Sequence, residues 1–383
     1  MTKTIGIIAE YNPFHLGHLY QINKIKELYP DSIIIVLISG SFTERGDISI
    51  INKWQKTKIC LNHNIDLVVE FPTLYAIQSA DIFAKAALTI LNDLNIDILA
   101  FGSETHDISL FEQLANIQLN NQDYHNTVKE YLKTGINYPT AMSIALQKYS
   151  NFLIDKPNDL LALSYIKEIV KNNYKIEPLS IKRTNDYHET ISKNSIISAN
   201  LIRQKIKKNE SIENNIPNDV LPSIYQNITI ETAFPYLKYQ ILSSKDLSIY
   251  LSVDEGLENR LKKAILNSNS WEELINKIKT KRYTYNRLNR MLLHILLQIE
   301  KQDNQFDPYI KILGFNKRGQ TYLNQIKKNI TLPIYTKYKP NQNKSLDIEY
   351  QSTCIYSLIV NDPLLIMREY QNNPIIVNNH QSH

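Results

Sequence analysis

The first hundred residues alternate short apolar runs with longer amphipathic segments. Apolar runs rich in β-branched residues are typical of buried strands, whereas apolar positions spaced three and four apart are typical of helices. Such runs occur at residues 5–9, 32–38, 66–70 and 96–101, and helical patterns cover residues 19–28, 54–61 and 76–91. This alternation predicts an α/β fold built on a doubly wound, Rossmann-like parallel sheet.

The remainder of the chain reads as mainly helical. We expect helices through residues 105–175, a returning strand at 174–181, and helical structure again from about residue 215, with 271–301 especially periodic. The tail after Leu332 mixes short extended segments with Asn, Pro and Tyr, and we expect residues 378–383 to be disordered. The C-terminal half therefore predicts an α-helical domain followed by a partly extended segment.

Two histidines follow the first apolar run, at the point where a strand should turn into a helix. His15 and His18 are three residues apart and fall on one side of the first helical turn. A helix N-terminus presents free N–H groups and a positive dipole end, which suit a phosphate. Two imidazoles there could also donate hydrogen bonds to the oxygens of a reacting phosphate. A metal-binding pair or an exposed helix cap is the alternative interpretation.

Other strand ends carry polar or small residues that could join this site. The Ser39–Gly40 pair and Gly102 both follow predicted strands, and ligands of open α/β sheets bind beyond the carboxyl ends of strands. Carboxylates near strand ends could form a cluster, although helix caps or salt bridges are equally plausible roles: Glu10, Glu70 and Glu104. Lys53 could contact a phosphate or begin a helix, and Asp186 with His188 could act as acid and base.

Composition excludes several classes of protein. The 383 residues include two cysteines, Cys60 and Cys354, too few for a disulfide framework or a cysteine-rich zinc site. No apolar stretch approaches the ~20 residues of a membrane helix, and no N-terminal signal segment is apparent. We therefore expect a cytoplasmic protein without a structural metal site.

Positive charge is concentrated in one region of a mildly basic chain. The formal net charge is +5, and basic residues gather between residues 260 and 290 with tyrosines between them. Basic side chains interleaved with aromatics can pair with phosphates and stack on unpaired bases; a solvated helix face is the alternative. The predicted nucleic-acid contacts are Lys277, Lys279, Lys281, Arg282, Tyr283, Arg287 and Arg290.

The strand–turn–helix resembles the H-x-G-H signature of nucleotidyltransferases, with His15, Gly17 and His18 in the matching positions. The segment from Ile197 to Arg203 resembles a second element of the small members of that superfamily, in which a Ser and an Arg at a helix start contact the triphosphate. These matches imply that His15, His18 and Arg203 are catalytic, with Ser198 at the phosphates and as the N-cap of its helix.

Across residues 5–300 the chain resembles one family, the bacterial tRNA(Met) cytidine acetate ligases. The blocks that carry the resemblance span residues 10–18, 39–47, 53–54, 66–72, 101–104, 156–159, 186–188 and 279–284. The resemblance implies that ATP activates acetate as acetyl-adenylate, which then acetylates N4 of the wobble cytidine of elongator tRNA(Met). Mg²⁺ would accompany the ATP, without dedicated protein ligands.

The same resemblance implies an ATP site on the first turn and on three later positions, to which the second element adds Ser198, with Asn12 and the loop amides holding phosphates. Its members are Ile7, Ile8, Ala9, Glu10, Tyr11, Asn12, Pro13, Phe14, His15, Leu16, Gly17, His18, Leu19, Tyr20, Gly102, Asn158, Arg183 and Ser198. We predict a catalytic nucleotide-binding domain over residues 1–210, a basic tRNA-binding helical domain over 211–330 and a C-terminal segment over 331–383. A nucleotidyltransferase that adenylylates a small metabolite is the alternative function.

Overall fold

A computed structural model describes residues 2–183 and 196–378. Its strands form one mixed sheet in the order β5-β4-β1-β2-β3-β6-β7, with β8 also paired to β6. The five strands from β5 to β3 run parallel, and β6 lies antiparallel to β3. The strands are β1 Thr4–Ala9, β2 Ile33–Ser39, β3 Leu67–Phe71, β4 Ile98–Ser103, β5 Glu177–Lys182, β6 Ile310–Asn316, β7 Ile334–Tyr335 and β8 Ile375–Val377.

Helices cover the sheet and build the layers beyond it. In the first half of the chain they are α1 Leu16–Leu28, α2 Lys53–Asn62, α3 Thr73–Ala76, α4 Ala80–Asp93, α5 Ile108–Asn120, α6 Gln122–Lys133, α7 Tyr138–Ser150 and α8 Pro157–Asn172. In the second half they are α9 Ala199–Lys207, α10 Phe234–Ser243, α11 Leu257–Ile265, α12 Trp271–Ile278, α13 Tyr285–Leu296, α14 Lys317–Ile326, α15 Lys344–Val360 and α16 Leu364–Gln371.

The parallel part of the sheet confirms the predicted α/β class. Every residue of β2 is buried, as expected for a central parallel strand covered on both faces. The order β3-β2-β1-β4-β5 places β1 at the point where the connections reverse direction. Because ligands of such sheets bind at this switch point, the loop after β1 is the expected location of the site.

The C-terminal part of the chain differs from the expected extended segment. Strand β6 joins the sheet beside β3, although residues 310–316 fall inside the range predicted as a basic helical domain. The tail after Leu332 contains α15 and α16, which pack against each other and place α15 against α3. The three-domain division remains a prediction; in the structure, the chain returns to the sheet after its helical region.

A buried network of charges joins this returning part to the sheet. Lys53 at the start of α2 contacts Glu70 (2.5 Å), Glu349 (3.0 Å) and Glu369, and Lys311 of β6 contacts Glu70 (3.2 Å) and Glu369 (2.5 Å). All five side chains are at most 3% exposed. Further bonds to the carboxylates come from the Thr73 hydroxyl and backbone N–H, the Thr353 hydroxyl and the Tyr309 hydroxyl.

Candidate active site

The loop after β1 ends in a helix cap made by two histidines. His15 has an extended backbone and is the N-cap of α1. Its Nδ1 accepts a hydrogen bond from the Gly17 backbone N–H (3.0 Å), and its own backbone N–H donates to Nδ1 of His18 (3.2 Å). Each imidazole thus satisfies a backbone donor of the turn, as a capping box does with other side chains.

This cap fixes the protonation of both rings. Burial lowers the pKa of His15 to about 3, and the positive charge of Arg183 acts in the same direction. Burial, followed by the neighbouring His15 and Arg183, holds the pKa of His18 well below its usual range. Since each Nδ1 accepts a hydrogen bond, the single proton of each neutral ring must lie on Nε2. The turn therefore presents two uncharged N–H donors.

Packing holds the two rings together. The imidazoles of His15 and His18 stack with their centroids 3.7 Å apart, and Tyr11 lies 4.6 Å from His18 and 4.9 Å from Phe14. A Cβ atom on Gly17 would lie 2.8 Å from Cε1 of His15. Gly17 therefore permits the His15 ring to fold back over its own helix.

A cleft opens beside this turn. The sequence-predicted residues that line it are His15, Gly17, His18, Tyr20, Gly102, Arg183 and Ser198. The prediction missed Gln21, which also lines it, and the residue match left the choice between Lys182 and Arg183 open; both line the cleft. Gln21 could have been inferred because it follows His18 by three positions, about one helical turn. Lys182 and Arg183 bring positive charge to the cleft, which suits a polyphosphate.

Gly102 and Arg183 are placed against each other at the ends of β4 and β5. A Cβ atom on Gly102 would lie 2.9 Å from Cγ of Arg183, so a larger residue would displace the arginine. The Arg183 backbone N–H donates to the Ser103 carbonyl (2.9 Å). Burial lowers the pKa of Arg183, and Glu104 opposes that change. Gly102 is thus needed for the close approach of the guanidinium-bearing side chain.

Asn158 does not line the cleft. Its Nδ2 donates to Oε1 of Glu104 (2.6 Å), and Asp159 accepts hydrogen bonds from the backbone of Glu104 and Thr105 (2.9 and 3.1 Å). These contacts hold the loop that follows Gly102. Direct contact between Asn158 and ATP remains a prediction.

The side chain of Asn12 forms hydrogen bonds to the backbone of a neighbouring loop and is not open to a phosphate. Its Nδ2 donates to the Ile48 carbonyl (2.9 Å), and its Oδ1 accepts the Ile50 N–H (2.9 Å). Arg203 donates to the Asn12 carbonyl (2.7 Å) and pairs with Asp47 (3.2 Å). Arg203 therefore ties α9 to the histidine turn and does not line the cleft, so its contact with pyrophosphate stays a prediction.

Several predicted ATP residues form the floor of the site. Ile7, Tyr11 and Phe14 are at most 2% exposed, so only backbone atoms of these residues are suited to contact a nucleotide. Ser198 is the N-cap of α9, as predicted, and accepts from the Leu201 N–H (3.3 Å). The other members of the turn are half-buried, apart from buried Asn12 and Pro13: Ile8, Ala9, Glu10, Leu16, Leu19 and Tyr20.

The three candidate carboxylates do not gather into one cluster. Glu10 accepts the Glu44 N–H (2.7 Å), Glu104 accepts from Asn158, and Glu70 belongs to the buried charge network. Lys53 is likewise enclosed in that network and is not available for a phosphate. The alternative role in a salt bridge is observed for Glu70, whereas Glu10 and Glu104 accept hydrogen bonds from a loop N–H and a side-chain amide. Asp186, His188 and the chain end at 379–383 lie outside the described residues.

The basic region contains exposed cations and cations held in contacts with acidic side chains. Lys279 and Lys281 are exposed, whereas Arg290 binds the Glu44 side chain (2.6 Å) beside the histidine turn. Tyr283 is buried, donates to Glu255 (2.6 Å) and lies 4.6 Å beneath Arg287. Tyr283 thus packs within the helical region and is not exposed for base stacking.

Two more of the predicted contacts are already paired. Lys277 binds Glu273 (2.6 Å) and Arg282 binds Glu255 (2.9 Å), both at the surface. Such surface pairs contribute about 0–1 kcal/mol and exchange partners at little cost. RNA contact by this region remains a prediction, in which Lys279 and Lys281 are the most accessible cations.

The described residues contain neither a candidate metal cluster nor a membrane-spanning helix. Within residues 2–183 and 196–378, no group of three His, Cys, Asp or Glu side chains is arranged to hold a metal ion. None of the helices in these ranges combines the length and apolar character needed to cross a membrane.

The chain is similar to known proteins over almost its whole length. The sequence model of the HIGH Nucleotidyl Transferase family matches residues 2–371. The tRNA(Met) cytidine acetate ligase of Caldicellulosiruptor saccharolyticus is 37% identical, covering 98% of this chain and 99% of the relative. The tRNA(Met) cytidine acetate ligase of Bacillus subtilis is 36% identical, covering 100% of this chain and 99% of the relative.

Solved structures show the same fold. The crystal structure of Thermotoga maritima TmcAL bound with alpha-thio ATP superposes with a TM-score of 0.88 at 27% identity, covering 99% of this chain and 100% of that one. The apo form I of the same protein gives a TM-score of 0.89 at 26% identity and the same coverage. The chain therefore belongs to the HIGH nucleotidyl transferases and, within them, to the tRNA(Met) cytidine acetate ligase family.

Proposed function

We propose that this chain is an ATP-dependent ligase that acetylates N4 of the wobble cytidine of elongator tRNA(Met). The paired neutral imidazoles on the cleft carry the proposal, since they supply donors at a helix N-terminus with basic side chains nearby. Near full-length identity to curated ligases supports the choice of substrates, and a structural relative bound to an ATP analogue supports the use of ATP.

The first step would activate acetate. One acetate oxygen attacks the α-phosphorus of ATP, the bond from that phosphorus to the bridging oxygen breaks, and pyrophosphate leaves. Negative charge grows on the phosphoryl oxygens during the displacement, and the Nε2–H groups of His15 and His18 would donate to them. Donors already fixed in position need no rearrangement as this charge develops. Acetate is small, so the rate gain should come mainly from alignment with the phosphorus.

The second step would transfer the acetyl group. N4 of the cytidine attacks the acetyl carbonyl carbon, the bond to the phosphate oxygen of AMP breaks, and N4 loses a proton. The exocyclic amine is a poor nucleophile and must be presented by an unstacked base, as an anticodon loop allows. We further propose that Mg²⁺ arrives with the ATP phosphates, that the exposed lysines at 279 and 281 contact the tRNA, and that the reaction takes place in the cytoplasm.

One incubation tests the proposal against its alternative. The protein is mixed with ATP, isotopically labelled acetate and bulk tRNA, and the RNA is digested to nucleosides. Label on cytidine is the expected result. An adenylylated small molecule formed without labelled RNA would instead favour the nucleotidyltransferase alternative, and absence of any turnover would count against both.

A further inference from the structure

A second cavity lies among helices outside the sheet. Its volume is about 520 Å³, it is formed by residues of α4, α5, α6, α7 and α8, and it shares no lining residue with the cleft beside the histidines. Binding sites for small molecules commonly occupy roughly 300–1000 Å³. The cavity is therefore large enough for a ligand of its own.

One polar group in the wall of this cavity lacks a partner. Gln118 is 6% exposed, and its Nε2 donates a long hydrogen bond to the Tyr124 hydroxyl (3.4 Å). Its Oε1 is buried without a hydrogen-bond partner in the described part of the chain. A buried acceptor left unpaired is unfavourable for the fold. Because surrounding atoms cover Oε1, a ligand that brings an N–H group would recover this cost once the Gln118 side chain turns towards the cavity.

Aromatic side chains provide flat surfaces around the same cavity. The Tyr124 and His125 rings lie 5.3 Å apart and nearly perpendicular, and both line the cavity together with Tyr138, which is 50% exposed. A nucleobase stacks favourably on an aromatic side chain whichever base it is, because every base has a flat π face. The walls thus suit a planar ring.

Positive charge completes the lining. Lys129 is exposed and has no ion-pair partner within residues 2–183 and 196–378. Lys171 is 52% exposed and lies 3.4 Å from Glu168, so its outer surface is open to solvent. Lys167 is engaged by Asp81. Two accessible ammonium groups on one cavity favour a ligand that carries a phosphate.

We propose that this cavity binds a single nucleotide. The base stacks among Tyr124, His125 and Tyr138 and donates an N–H to Oε1 of Gln118, while the phosphate meets Lys129 and Lys171. The nucleotide can be free in solution or belong to an RNA strand, as an unstacked residue distant from the reacting cytidine. The RNA source rests on the proposed function; the free source does not.

Photolabelling with 8-azido-AMP tests the site in the full-length protein. We expect labelled peptides from residues 118–142 in addition to those from the cleft. Gln118→Met preserves the side-chain size but removes the acceptor, and should lower labelling of the second site about tenfold. Lys129→Ala should lower it several-fold. Lys133→Ala removes the same charge from the same helix outside the lining and should have no effect.

Labelling confined to the cleft, or labelling of residues 118–142 that is equal in wild type and Gln118→Met, would overturn the proposal. Acetate-dependent ATP–pyrophosphate exchange provides the check on folding, since all three variants should retain it. Lys129 is at the surface, so its variant remains informative even if Gln118→Met fails to fold.

Steady-state acetylation separates the two sources. If RNA supplies the nucleotide, Gln118→Met should raise KM for tRNA about tenfold, with kcat and the exchange rate unchanged. If a free nucleotide occupies the site, KM for tRNA stays at the wild-type value while 8-azido-AMP labelling still falls. A wild-type protein that labels at residues 118–142 but acetylates no RNA would count against the proposed function and leave the nucleotide site intact.

Discussion

Two buried polar regions along one sheet respond to desolvation in opposite ways: one keeps its groups neutral and the other keeps a lysine charged. In the histidine turn, the pKa values of His15 and His18 fall, so both rings remain uncharged. In the network around Lys53, the lysine is also desolvated, yet three surrounding carboxylates raise its pKa well above the usual range. The carboxylates of the network differ: the attraction of Lys311 and Lys53 outweighs desolvation and lowers the pKa of Glu369 to about 2, whereas desolvation and the nearby Glu349 raise the pKa of Glu70.

The difference lies in the partners. The imidazoles have backbone N–H groups and a nearby arginine, which favour a neutral acceptor, whereas the lysines have carboxylates, which favour ions. A neutral N–H donor can form a hydrogen bond to negative charge that develops on a substrate. An ion that is already paired within the protein instead stabilises the fold. Chemistry is therefore expected at the turn, and attachment of the C-terminal helices at the network.

The largest effect should come from His18→Asn. Asn keeps an acceptor near the position of Nδ1, so the cap on the His15 N–H persists, but the donor at the position of Nε2 is lost. We expect acetate-dependent ATP–pyrophosphate exchange to fall about 10³-fold, the loss typical of removing a transition-state donor. Circular dichroism and the unfolding midpoint should be unchanged. Wild-type exchange in this variant would remove His18 from catalysis.

Removing a charge from the buried network around Lys53 should lower the free energy of unfolding and leave catalysis unaffected. Lys53→Met leaves three buried carboxylates facing one lysine, and removal of one member of a buried ion pair typically costs about 3–5 kcal/mol. Urea denaturation should show this loss in the free energy of unfolding. The control is Lys24→Met, which removes a lysine from an exposed pair with Glu27 and should cost less than about 1 kcal/mol. Equal losses in both variants would contradict the assigned role.

Acid should weaken the fold through the histidine turn. The pKa of His15 is about 3 in the folded protein and about 6.5 in an unfolded chain. The unfolded chain therefore binds more protons between these values, so stability is complete above pH 6.5 and falls as pH decreases towards 3. Between pH 7 and pH 5 we expect His15 to account for a loss of about 2 kcal/mol.

His15→Asn isolates that contribution. Asn is a good N-cap residue and does not titrate, so the helix start is retained. Urea denaturation at several pH values should give a shallower decline for the variant than for wild type. Parallel curves would mean that His15 is protonated in the folded protein near its ordinary pKa.

The sequence patterns correctly predicted those elements whose structure depends on residues close together in the chain. The strands of the parallel sheet, the α1 start at the histidines and the Ser198 cap all follow from nearby residues. Glu70 and Lys53 were ambiguous because their partners Glu349 and Glu369 lie some 280 to 320 positions further along the chain. The antiparallel strand β6 and helix α15 were missed for the same reason, since their burial is decided by docking onto the sheet edge rather than by their own periodicity.

The smallest effect concerns the basic helical region. Lys281→Ala combined with Arg282→Ala removes one exposed cation and one cation held in a surface pair with Glu255. If both reach phosphates of the tRNA, the slope of log K against log salt should decrease by about 1–2, and binding at moderate salt should weaken several-fold. The matched control is Lys327→Ala with Lys328→Ala, an adjacent exposed pair at the end of α14, for which both quantities should stay at wild-type values. Unchanged salt dependence in the first variant would place the RNA on another face of the molecule, whereas equal weakening in both variants would indicate a response to net charge alone.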